Sequence, residues 1–313
     1  MFPVRVQPSS PTQVEQQPNV LGRYTLEKQA AIFTPRYPFS TRVAYDVSFH
    51  LPNNNQSYAT TLSLSLAEIT ATQVTRIFPT TDVLPANLLK FYIEFSAPMA
   101  GGNGFNYVHI EKEDGTRVHD PFPEIGVELW DPEQKRFTVL LDPGRIKHGI
   151  RINEEMGLPL VPGNAYRFVV QPEWPDATGQ PLAQGVEKSF RVVEPDYTTP
   201  DPKTWKVEPA KVSTRQPLKL TSPESLDGPL AQQLIWLTDA EEVAVPGTLS
   251  LADGETVWSF TPTEPWATKP YTLHVLPRLE DLAGNQIRRP FEIDVRKHNE
   301  DKDEEVLIPI KMR

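Results

Sequence analysis

A chain of 313 residues with a formal net charge of −10 and no cysteine excludes several classes at once. There is no basic stripe to meet a phosphate backbone, and a disulfide scaffold, a thiolate zinc site and a cysteine nucleophile are ruled out. Proline is the compositional outlier: the 33 prolines are roughly twice the average share of ~5%.

Along the chain, period-2 runs recur and helical periodicity is nearly absent. The runs are Leu88 to Phe95 (LLKFYIEF), Tyr107 to Ile110, Phe137 to Leu141, Tyr166 to Val170, Phe190 to Val193, Val257 to Phe260, Tyr271 to Val275 and Phe291 to Val295. They are short, rich in β-branched and aromatic residues, and punctuated by Pro, Gly, Asn and Asp. That pattern predicts an all-β protein of tandem immunoglobulin-like β-sandwich modules. At ~100 residues per sandwich, the length suits two or three of them.

An internal repeat sets the boundaries. Phe33-Thr34-Pro35, then Pro38-Phe39 and a strand opening at Tyr45, returns as Phe260-Thr261-Pro262, Pro265-Trp266 and a strand at Tyr271. A looser copy runs from Leu141-Asp142-Pro143 through Pro162-Gly163 to Tyr166. Each copy reads as a strand, a proline-fixed crossover and a strand begun by an aromatic that plugs the core. The expected modules are a short or partial one over 1–72, one over 73–194 with a long insertion near 144–162, and one over 203–296. Residues 194–203 (EPDYTTPDPK) read as a stiff linker, and 297–313 as a charged C-terminal tail in which Val306 to Ile310 either adds an edge strand or stays disordered.

The opening Leu88 to Met99 (LLKFYIEFSAPM), the Phe-Thr-Pro…Pro…Tyr crossover and the turn Asp281-Leu282-Ala283-Gly284-Asn285 together resemble the SbsA-type Ig-like modules of secreted and surface-layer bacterial proteins. Arg215 to Asp227 looks like a variant of the same opening. The resemblance covers most of 73–296 and implies an extracellular or periplasmic setting with protein or cell-surface partners. It implies no catalytic set. The start, Met1 to Arg5, lacks the apolar stretch of a signal peptide.

No motif for nucleophilic, metal or phosphate chemistry occurs, so no catalytic residue, cofactor or metal is expected. Gly101 to Gly104 joins two strands and reads as a plain loop. His109 and His119 flank a hairpin whose turn is centred on Asp114-Gly115; in that register Ile110 faces His119 and the imidazoles diverge, whereas a slip by one residue brings them together. Glu154-Glu155, read as extended, face apart. Asp176 and Asp281 each offer one carboxylate beside Thr178 or Asn285, too few for calcium unless another loop contributes. Of the six tryptophans, Trp258 reads as core, Trp174 and Trp266 as plugs, and Trp130 and Trp205 as least constrained.

One basic segment on this acidic chain is the candidate contact site: Arg145, Lys147, His148 and Arg151 in the insertion, which serves equally well as a packed cover over a sheet edge. The leading expectation is a non-catalytic spacer, adhesion or assembly protein. The alternative is a ligand-binding accessory module, for glycan or calcium, serving an enzyme or transport system; a hydrolase would need a cleft with paired acids.

Overall fold

The computed structural model describes residues 3–6, 18–27, 30–37, 39–40, 43–50, 57–63, 70–123, 127–147, 151–291 and 304–313. The chain divides into two compact units, Met1–Ala71 and Thr72–Arg313.

The first unit holds β1 (Val4–Val6), β2 (Gly22–Glu27), β3 (Ala30–Pro35), β4 (Ala44–His50) and β5 (Ser57–Ser63). β1, β4 and β5 form an antiparallel sheet, and β2 pairs with β3. Val4 and Tyr45 are buried. The proline crossover places Phe39 against Tyr45, ring centroids 4.5 Å apart.

The second unit contains two sandwiches. The middle module is built from β6 (Val74–Phe78), β7 (Val83–Pro85), β8 (Lys90–Phe95), β9 (Val108–Lys112), β10 (Leu129–Trp130), β11 (Arg136–Leu140), α1 (Pro143–Ile146), α2 (Arg151–Met156), β12 (Ala165–Val170) and β13 (Val186–Val193). Its sheets are ordered β10-β11-β8-β6 and β7-β13-β12-β9. The C-terminal module follows with β14 (Lys206–Glu208), β15 (Leu218–Thr221), α3 (Gly228–Leu234), β16 (Ile235–Asp239), β17 (Gly247–Ala252), β18 (Val257–Pro262), β19 (Pro270–Val275) and β20 (Val306–Lys311). Its sheets are ordered β17-β18-β15-β14 and β16-β19-β20. The first sheets map onto each other strand for strand, and β9, β12 and β13 correspond to β16, β19 and β20 with β7 unmatched, so the sequence repeat is a structural repeat. The fold is all-β, made of immunoglobulin-like sandwiches.

Alternation explains each core. In β8, Phe91, Ile93 and Phe95 turn inward against Phe168 of β12 and Phe190 of β13. In β15 and β18, Leu218, Leu220, Trp258 and Phe260 face Leu273 and Val275 of β19 and Ile310 of β20. Full burial of one such side chain contributes about 1.5–3 kcal/mol. The tyrosine that opens the crossover strand has the same task three times. Its hydroxyl accepts a backbone N–H from just upstream: Tyr45 from Ser40 at 2.7 Å, Tyr166 from Val161 at 3.0 Å, Tyr271 from Ala267 at 3.0 Å. Each bond ties the crossover to its strand, the logic of a tyrosine corner.

Within the tail expected over 297–313, the edge strand is the alternative found for Val306 to Ile310. β20 pairs along its length with β19, from Pro270↔Lys311 to Val275↔Val306, and buries Ile310. It fills the place that β13 fills beside β12. The closing strand expected from Phe291 is therefore displaced: Phe291 itself lies in a bend and packs against the middle module's core, while 292–296 lie outside the described residues. An alternating apolar strand next to a long charged segment reads as tail because its partner is distant in sequence. Among the described residues no helix is long and apolar enough to cross a membrane.

Candidate functional site at the seam between two modules

The basic insertion resolves into two short helices. Asp142 caps α1 by accepting from the Gly144 N–H at 2.8 Å. Arg145 is 5% exposed, and its guanidinium donates to the carbonyls of His119, Asp120, Gly157 and Leu158 at 2.6–3.2 Å. It is an internal strut, which corrects its reading as a contact residue. Lys147 lies 4.4 Å over the ring of Phe291. Arg151 is exposed and pairs with Glu155 at 2.9 Å within α2, so Glu154 and Glu155 are helical rather than extended. His148 lies outside the described residues. The structure thus does not bring Arg145, Lys147 and Arg151 to one surface.

Other expectations shift in detail. The Asp114-Gly115 hairpin has a three-residue loop: Gly115 N–H donates to Lys112 O, Lys112 N–H to Thr116 O, and Gly115 has φ +80°. The extra loop residue moves the register so that Glu111 pairs with Arg117. That is the one-residue slip considered for His109 and His119, and each of them is engaged by a carboxylate: Glu111 at 2.9 Å and Asp120 at 3.3 Å. In the Gly101–Gly104 loop, Glu128 accepts from the N–H groups of Gly102 and Gly104 and from the Trp130 indole. Trp174, Trp258 and Trp266 are buried, and so is Trp205.

The polar groups that do converge lie between the middle and C-terminal modules. Strand alternation points Lys90 and Tyr92 away from the middle core, toward the C-terminal module. Lys90 Nζ sits 3.0 Å from Asp227 Oδ2 and 2.7 Å from Glu280 Oε2. Tyr92 donates its hydroxyl to Asp227 at 2.8 Å, and Asp227 also caps α3 through the Leu230 N–H. Burial works against the charge of Lys90, but Asp227, Tyr92 and Glu280 together outweigh it and hold the ammonium. Thr80 gives both its N–H and its hydroxyl to Glu255.

The seam is close as well as polar. Leu89 N–H donates to Leu282 O at 3.0 Å. Gly284, at φ +84°, leaves no room for a Cβ, which would lie 2.4 Å from Leu89 Cδ2. This turn repeats that of the middle module: Asp176 accepts from the Thr178 and Gln180 N–H groups, Asp281 from those of Ala283 and Asn285. The two turns differ in what faces the second carboxylate oxygen. Asp176 receives the Thr72 hydroxyl at 2.8 Å. Asp281 receives Asn285 Nδ2 at 2.8 Å and lies beside two further acids, Asp196 and Glu224, with one oxygen of each within 4.8 Å of the others.

Asp196 belongs to the expected linker, which is pinned. Asn87 of the middle module bonds its N–H and carbonyl at 2.8 and 2.7 Å, and Asn285 Nδ2 reaches the same carbonyl at 3.2 Å. Burial, with Asp196 adding to it, pushes Glu224 up to about 7. Burial also pushes Asp281 up to about 7, against the pull of Asn285 and with Asp196 and Glu224 adding to it. Glu255 and Asp227 are raised by burial too, Asp227 against the pull of Lys90. Among the described residues, every carboxyl pushed upward lies on this seam.

Another loop thus joins Asp281, as a calcium reading requires, yet the oxygens fall short. Three carboxylates offer six oxygens, the lower limit of what calcium takes, and only if all of them are free. Asp281 is already committed to three donors, and the Asp196 carbonyl to two. Asp281 itself, 2% exposed, is out of a substrate's reach. The expected readings missed Lys90, Asp227 and Glu280. The available signal was Tyr92, an aromatic on the strand face that a lone sandwich would show to water.

No protein-family model matches the chain, and no curated protein does. Among solved structures it is similar to native alpha-2-macroglobulin from Escherichia coli spanning domains MG0-NIE-MG1, at 10% identity over 65% of this chain and 66% of that one, TM-score 0.26. It is similar to surface layer protein SbsC, domains 4–9, at 12% identity over 99% and 38%, TM-score 0.27. It is also similar to the N-terminal four Ig domains of Dscam1, at 10% identity over 81% and 56%, TM-score 0.17. At such scores the likeness carries no argument about function, and the chain spans under two thirds of the Dscam1 and SbsC chains.

Proposed function

We propose that this chain is a non-catalytic envelope or extracellular protein whose modules act as spacer, adhesion or assembly units, in the manner of the SbsA-type modules it resembles. The seam carries the reading. A spacer must transmit position from one module to the next, and here Lys90, Asp227 and Glu280 fasten two sandwiches through a buried ionic contact. The linker between them is pinned to both sides. Lys90, Tyr92, Asp227 and Glu280 are spent on each other and not held open toward a substrate.

The alternative accessory module needs an exposed aromatic row for a glycan or a full oxygen shell for calcium. The burial of Trp174, Trp205, Trp258 and Trp266 and the oxygen count at Asp281 both weigh against it. Fractionation of cells that make the native protein tests the compartment. Recovery with the envelope or medium is expected; recovery in the cytosolic fraction overturns the reading.

A further inference from the structure

The acids of the seam have a use that fastening alone does not explain. Asp281, Glu224 and Asp196 come from three separate segments: the turn after β19, the loop between β15 and α3, and the pinned linker. The cavity beside them is lined by Glu194, Asp196 and Glu224 and by no basic side chain. Lys90, across the seam, is spent on Asp227 and Glu280. The equivalent turn of the middle module offers Asp176 a hydroxyl in place of carboxylates. In the C-terminal module, that place has become a point of like charge.

We infer that the joint between the middle and C-terminal modules is a proton-operated clasp, closed when Asp281 and Glu224 hold protons and loosened when both ionise beside Asp196. This rests on the seam invoked above as the spacer's joint. The direction follows from linkage. Both carboxyls titrate at about 7 in the folded protein, above the carboxylate range of an unfolded chain. The folded state then binds more protons, so the stabilisation is complete below that ordinary range and is lost as pH rises through about 7. Asp227 and Glu280 face Lys90 rather than the Asp281 carboxyl, so the clasp loosens the Asp281 side of the seam first.

Hydrogen exchange at the Leu89 amide, which bonds Leu282 across the seam, reads the clasp in the full chain. After correction for the intrinsic rate, protection is expected to fall about tenfold or more between about pH 5.5 and 8.5, a magnitude discounted for the half-exposed Glu224. Glu224→Gln, and independently Asp196→Asn, should remove most of that fall, while the remote Glu133→Gln should keep it. A fall equal in wild type and both seam variants, or protection without pH dependence, overturns the clasp and leaves the spacer reading standing. An amide unprotected at every pH removes the seam itself, and the spacer reading with it.

Discussion

Four backbone carbonyls converge on the guanidinium of Arg145. Two belong to the segment after the β9 hairpin and two to the segment after α2, so this one side chain holds irregular backbone that no ladder holds. Arg145→Met would keep most of the volume and leave those carbonyls without a donor. The expected loss is about 3 kcal/mol, the cost of unsatisfied buried acceptors, read by urea unfolding of the full chain. Arg151→Met, on the exposed face of α2, should stay within about 0.5 kcal/mol of wild type. Equal effects would remove the strut role. The sequence displays Arg145 and Arg151 alike, as basic residues in one insertion, because charge and local spacing are all it offers there. What separates them is the position of carbonyls at 119, 120, 157 and 158, which no periodicity announces. Asp196 and Glu224, which join Asp281, were hidden for the same reason.

At the scale of elements, the sequence is far more legible. Inward alternation in β8, β11, β12, β18 and β19 is written in their residue types, and the proline crossovers end on tyrosines whose hydroxyls are all used. The element left open between edge strand and disorder is β20. Its alternation is short, it contains Pro309, and it follows a charged run, whereas its partner β19 ends at Val275. An edge strand is where a sheet accepts proline, and β20 lies at the edge of the β16-β19-β20 sheet. The pairing brings Ile310 under Tyr271. Truncation after Asp303 should therefore unfold the C-terminal module while leaving the middle module's core intact. Loss of protection at Leu273 and retained protection at Phe168, by hydrogen exchange, would show it. Protection at both would return β20 to the status of a tail.

For the second unit as a whole, the question is whether its two sandwiches share one stability. Lys90→Met leaves Asp227 and Glu280 as buried, uncompensated acids, a situation that costs about 3–5 kcal/mol. Scanning calorimetry of the full chain should show the middle and C-terminal modules melting together in the wild type. In Lys90→Met the C-terminal module should melt earlier and apart; an unchanged profile would mean that the seam couples nothing. The position of β20 adds a matter of timing. During synthesis, the middle module has every strand it needs once β13 has emerged, and its Lys90 and Tyr92 then face water. The partner module cannot close its second sheet until residues 306–311 have left the ribosome, some thirty residues after β19. The joint is thus the last part of this unit to mature. A nascent chain halted before that point displays a finished sandwich beside an open one, and the exposed edge of β19 is then the surface most in need of a chaperone.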